Sequence, residues 1–123
     1  MTRAANLVGV GIAGNAVQYI TGVVANNLTA TGSSSQTNSF GVTADISVFT
    51  TAPGNSGARL PSGTNPGDIF TIANWDNNTM LIYPPVGGTC NNGSLNASVS
   101  LNTKKAADCV SIDGLNYIVM AGA

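Results

Sequence analysis

The chain has 123 residues, enough for one domain that buries roughly two-thirds of its unfolded surface, and only 7% of them are charged against a usual value of about 25%. Its four cations, Arg3, Arg59, Lys104 and Lys105, are too few and too scattered to neutralise a phosphate track, which excludes a basic nucleic-acid-binding patch. With no histidine, Ser-His, Cys-His and zinc-histidine centres cannot be assembled from this chain.

All five acidic residues are aspartates (Asp45, Asp68, Asp76, Asp108 and Asp113), and Asn, Gly, Thr and Ser stand where charge usually would. Those residue types favour turns and strands over helices. So little charge has two explanations: a surface largely covered in an assembly, or an extracellular protein kept soluble by hydroxyl and amide groups.

Residues 1–39 are expected to form an N-terminal arm and connector, and residues 40–123 a β domain. The first 25 residues are the most apolar. Asn6, Asn15 and Gln18 interrupt the run before it reaches the ~18 residues a membrane span needs, so no membrane partner is expected. Within Asn15–Val24, the spacing of Ala16, Val17, Ile20 and Val24 is compatible with a short helix carrying one apolar side. That side must be buried against the chain's own domain or a neighbour. Leu7, Val8, Ile12, Val17, Tyr19 and Ile20 are the candidate contacts that this arm offers to a neighbouring subunit.

Asn26–Ser39 reads as a polar connector with Leu28–Thr31 as an edge strand. Phe40–Thr51 alternates, with Val42, Ala44, Ile46 and Val48 on one side and Phe49 opening the opposite phase, a strand with a register change near its end. Ala58–Pro61 is a brief strand. Pro66-Gly67 fits the centre of a type II turn. Two strands follow, Ile69–Ala73 and Thr79–Tyr83, around the polar turn Asn74–Asn78. Met80–Tyr83 is apolar throughout, as expected of a strand covered on both sides by another subunit or by the arm.

Leu95–Leu101 alternates as a half-buried strand, Thr103–Lys105 is an exposed turn, and Asp113-Gly114 between apolar strands signals a two-residue hairpin with positive φ at both positions. Seven or eight strands at intervals of roughly ten residues predict an all-β fold, an antiparallel jelly-roll-like sandwich.

Chemistry is sparse. The aspartates sit at turns, where turn formation explains them better than a catalytic pair or a calcium site around Asp76–Asn78. Cys90 and Cys109 lack metal-finger spacing; they read as small buried residues or as a pair facing each other across a sheet. No enzyme activity, metal or cofactor is expected. Trp75, at a turn, is the candidate exposed contact, suited to a protein interface or to sugar stacking.

The pieces VTADISVFTT (Val42–Thr51), GARLP (Gly57–Pro61), PGDIFTIAN (Pro66–Asn74), LIYPPVGGTCN (Leu81–Asn91) and the aspartate-glycine hairpin within Ser111–Tyr117 occur in this order. The segment from Val42 to Ala123 resembles a family of small tailed-phage and prophage virion proteins, and NLVGVGI (Asn6–Ile12) looks like their short opening. The resemblance covers roughly two-thirds of the chain. It implies a virion protein, most suitably a capsid decoration (cement) protein. Such a protein would be made in the bacterial cytoplasm, form homotrimers, and sit on the outer surface of the capsid against the major capsid protein. The alternative under the same resemblance is a receptor- or glycan-binding domain of a head or tail fibre.

Overall fold

The computed structural model describes residues 22–121, among which nine strands form. They are β1 (Val24–Thr29), β2 (Phe40–Gly41), β3 (Ile46–Thr51), β4 (Gly57–Arg59), β5 (Ile69–Asn74), β6 (Met80–Tyr83), β7 (Val99–Leu101), β8 (Lys105–Ser111) and β9 (Tyr117–Ala121). Five of them make one sheet in the order β1-β3-β5-β8-β9, and four make the other in the order β2-β4-β6-β7. The two sheets enclose one apolar core containing Phe49, Ile72, Met80, Ile82, Leu101 and Tyr117, all fully buried. The fold is an all-β sandwich.

The expected antiparallel jelly roll is corrected by the pairing. β1-β3-β5 are parallel, as are β2-β4-β6. From β1 to β6 the chain visits the two sheets alternately, so each parallel connection is a strand of the opposite sheet. Parallel neighbours always need a crossover, which is most often a helix. Here the turn-rich, charge-poor sequence supplies a strand instead. Among the nine strands, antiparallel neighbours are β6-β7, β5-β8 and β8-β9, where the coil closes, and a single antiparallel bridge joins Thr31 to Gly57.

This winding explains the irregular alternation of Phe40–Thr51. Val42 and Ala44 are buried, and then Ser47 and Phe49 are. The phase changes between Ala44 and Ile46, earlier than expected, because β2 and β3 belong to different sheets. Phe40 and Phe49, on opposite sheets, meet edge to face with ring centroids 5.3 Å apart. Contacts of this kind add about 0.5–1.5 kcal/mol beyond area burial.

The sheet also begins earlier than the expected boundary at residue 40, because β1 pairs with β3. Val24 is the first residue of β1 and not the end of a helix, and Gly22 and Val23 are not helical either; residues 15–21 of the expected helix lie outside the described residues. Leu95–Ala97 do not extend β7. Leu95 is 64% exposed, Asn96 takes a positive φ of 62°, and the Asn96 Oδ1 accepts from Gly87 N at 2.7 Å. A local side-chain-to-backbone bond has displaced the strand.

The turns fall near their expected places. Gly67 has a φ of 91° and Asp68 N donates to Asn65 O at 3.1 Å, as a type II turn requires. The β8-β9 hairpin forms, but its loop runs from Ile112 to Asn116. Only Gly114 has positive φ there, because the Asp113 carboxylate turns back to accept from Leu115 N and Asn116 N. At β9, an edge strand, the Asn91 side chain accepts from Val119 N at 2.8 Å and donates to Val119 O at 3.1 Å. One amide thus satisfies both backbone groups that Val119 would offer to another chain, while Thr89 O and Asn91 N take those of Tyr117.

Candidate interaction surface

Strand alternation decides what the five-stranded sheet shows to solvent. Phe70, Ile72, Ala107, Cys109, Tyr117 and Val119 turn into the core. Their neighbours Ile69, Val110, Ile118 and Met120 therefore turn out, and Ile69, Ile118 and Met120 are exposed. The register aligns them into rows: Ile69 beside Val110 beside Ile118, and Val24 beside Ile46 beside Thr71 beside Asp108 beside Met120. The one carboxylate in these rows, Asp108, accepts from Thr71 Oγ1 at 2.8 Å. At ~4.8 Å between strands and ~3.3 Å per residue, each position on this face covers roughly 30 Å², so the six apolar positions of the two rows amount to on the order of 200 Å².

Trp75 follows β5 directly and is 45% exposed. Its turn is built from beneath by Asn74, which is fully buried. The Asn74 Nδ2 donates to Asn78 O at 2.8 Å, Leu101 O at 3.1 Å and Asn102 O at 3.3 Å, and its Oδ1 accepts from Asp76 N at 3.1 Å. Asp76 in turn accepts from Ala52 N at 2.6 Å and Asn77 N at 2.7 Å. These two backbone donors, Ala52 first, hold its carboxyl below the ordinary carboxylate range. Lys104 Nζ and Thr103 Oγ1 donate to the Trp75 and Asp76 carbonyls. This network fixes the shape of the turn that carries Trp75.

On the four-stranded sheet a third feature appears. A hollow of about 610 Å³ is lined by Gly41–Thr43, Arg59–Ser62, Pro85, Val86 and Thr37. All but Thr37, which precedes β2, lie at or just beyond the C-terminal ends of β2, β4 and β6, three parallel strands. Arg59 Nη1 donates to Gln36 O at 2.8 Å and Thr37 O at 3.1 Å, which fixes the guanidinium against the wall. Gln36 Nε2 donates to Pro84 O at 2.7 Å, which ties the loop before β2 to the end of β6.

The remaining reactive groups are sealed. Cys90 and Cys109 are free thiols in the core. Burial pushes their pKa values up to about 11 and about 12. Neither thiol has appreciable thiolate at neutral pH, which is the reactive form. Among the described residues no group of three or more His, Cys, Asp or Glu side chains is placed to hold a metal ion, and no helix is long and apolar enough to cross a membrane.

Of the residues singled out from sequence, Trp75 is exposed at a turn as expected. Leu7, Val8, Ile12, Val17, Tyr19 and Ile20 lie outside the described residues. Neither the apolar rows nor the Arg59 hollow was anticipated. The signal for Arg59 was a lone charge in a charge-poor chain, set between the buried Ala58 and Leu60. No protein-family model matches the chain, and no curated protein matches it.

Proposed function

We propose that this chain is a structural virion protein of a tailed phage, a capsid decoration protein that forms homotrimers and ties neighbouring major capsid protein subunits together from outside the shell. The observation that carries this reading is the exposed apolar face of the five-stranded sheet, on a chain with too little charge to keep such a face free. The ordered resemblance from Val42 to Ala123 gives the virion context.

The magnitudes call for more contact area than this face supplies. Covering ~200 Å² of apolar surface at ~25 cal/mol per Å² gives on the order of 5 kcal/mol. Association consumes an estimated 4–15 kcal/mol, so the face alone is marginal. A standard interface buries about 800 Å² per partner. The apolar residues of the arm, Leu7, Val8 and Ile12 among them, are the further area this reading calls on. Repetition over many equivalent capsid positions then multiplies a modest affinity into a stable shell.

The test removes the arm without touching the sheet. Because Val24 and Ala25 already pair with β3, the deletion stops at Thr21. The truncated protein is expected to fold and to be lost from purified particles. Normal occupancy by the truncated protein would refute the arm's part in attachment.

A further inference from the structure

We propose that the hollow at the ends of β2, β4 and β6 is a binding site for an acidic sugar, with Arg59 as partner of its carboxylate. The site does not depend on the decoration reading, because it lies on the four-stranded sheet and the apolar rows lie on the other.

Three features of the hollow point to this ligand. The first is charge. Arg59 is half-buried and spends one nitrogen, Nη1, on two backbone carbonyls, not on a carboxylate. Among the described lining residues there is no aspartate. Its Nη2 lies beside Gly41, 3.5 Å from where a Cβ would stand. The guanidinium is thus pre-oriented, with Nη2 and Nε making no hydrogen bond among the described residues, and a paired donor of this kind matches a carboxylate. A single cation suits one negative charge better than a phosphate's two.

The second feature is the rest of the lining. Thr43 and Ser62 are exposed at the rim with hydroxyls that make no hydrogen bond among the described residues, while Pro61, Pro85 and Val86 add aliphatic wall. Hydroxyl donors next to aliphatic surface suit a ligand with a C–H face and several hydroxyls, which a simple fatty or amino acid lacks. The third is size. About 610 Å³ lies within the ~300–1,000 Å³ of small-ligand sites and accommodates one or two pyranose rings. The walls are strand ends fixed by the sheet, so binding needs little ordering of the protein.

The experiment is an NMR titration of the ¹⁵N-labelled full chain with glucuronate, with glucose and acetate as controls. Glucuronate is expected to shift the amides of Val42, Thr43, Leu60 and Ser62 with millimolar affinity, and glucose or acetate to shift them at least tenfold more weakly. Arg59→Gln should abolish the response. Since Arg59 also anchors the Gln36–Thr37 loop, the rim variants Thr43→Ala and Ser62→Ala serve as the second test; each should weaken glucuronate several-fold with an otherwise unchanged spectrum. Acetate shifting these amides as strongly as glucuronate would mean a carboxylate site with no sugar recognition. That result, a response surviving Arg59→Gln, or rim variants without effect, would overturn the proposal. None of these outcomes bears on particle attachment, so the two readings fail separately.

Discussion

Asn74 joins the two sheets, and replacing it with alanine tests how the Trp75 turn is held. In the folded protein its amide reaches Leu101 O on β7 as well as the carbonyls of Asn78 and Asn102, and its Oδ1 receives Asp76 N. Asn74→Ala removes all four bonds at a fully buried position. A net hydrogen bond contributes about 0.5–1.5 kcal/mol, and a buried carbonyl left unpaired lies toward the costly end. The carbonyls of Asn78 and Asn102 are nearer the surface and recover water, and the shared geometry makes the four bonds less than additive. The expected loss is about 3 kcal/mol. Urea denaturation followed by Trp75 fluorescence measures it. With an m value of about 1.5 kcal/mol/M, the midpoint should fall by about 2 M with m unchanged. A loss below about 1 kcal/mol would show that these bonds do not hold the turn and that water replaces them freely.

The other expectations concern surface, pH and thiols. Ile118→Lys, on the exposed middle of β9, should leave the melting temperature within a few degrees of the parent yet sharply reduce particle occupancy; unchanged occupancy would remove the apolar face from the proposed interface. Asp76 and Asp113 are both held below the ordinary carboxylate value of 3.8, the latter chiefly by the Asn116 side chain and then by backbone donors of Asn116 and Leu115. The folded state therefore binds fewer protons than the unfolded state near and below pH 4, so stability should hold from pH 7 to about 4 and fall as pH drops through the depressed values. Asp76→Asn with Asp113→Asn should flatten that acid limb in thermal melts, and an unaltered limb would mean other groups cause it. Cys90 and Cys109 should resist iodoacetamide at pH 8 in the native state and react in urea, as read by mass spectrometry; rapid native labelling would contradict their burial.

Much of the strand content was legible in the residues, and the path between strands was not. Ile69–Asn74 and Met80–Tyr83 form where alternation and a continuous apolar run placed them. The type II turn at Pro66-Gly67 follows from two residues whose backbone preferences leave few choices. Alternation reports which side of a strand is buried but not which strand lies beside it, so a coil alternating between two sheets looks the same as a set of hairpins. The one local trace was the phase change between Ala44 and Ser47. Asn residues misled most, because one amide can replace a backbone partner: Asn96 ends the expected Leu95 strand, and Asn91 completes the edge of β9. The candidate surfaces were hidden for the same reason. Ile69, Val110 and Ile118 become a row only through register, and the Arg59 hollow exists only because β2, β4 and β6 end side by side.

The central claim is that this chain is a major external component of a phage particle. Its copy number in purified particles, measured by gel densitometry or mass spectrometry against the major capsid protein, tests that claim most directly. Near-capsid stoichiometry is the expected result. A handful of copies per particle would contradict decoration and point to a fibre or adsorption part, and absence from the particle would contradict a virion role altogether.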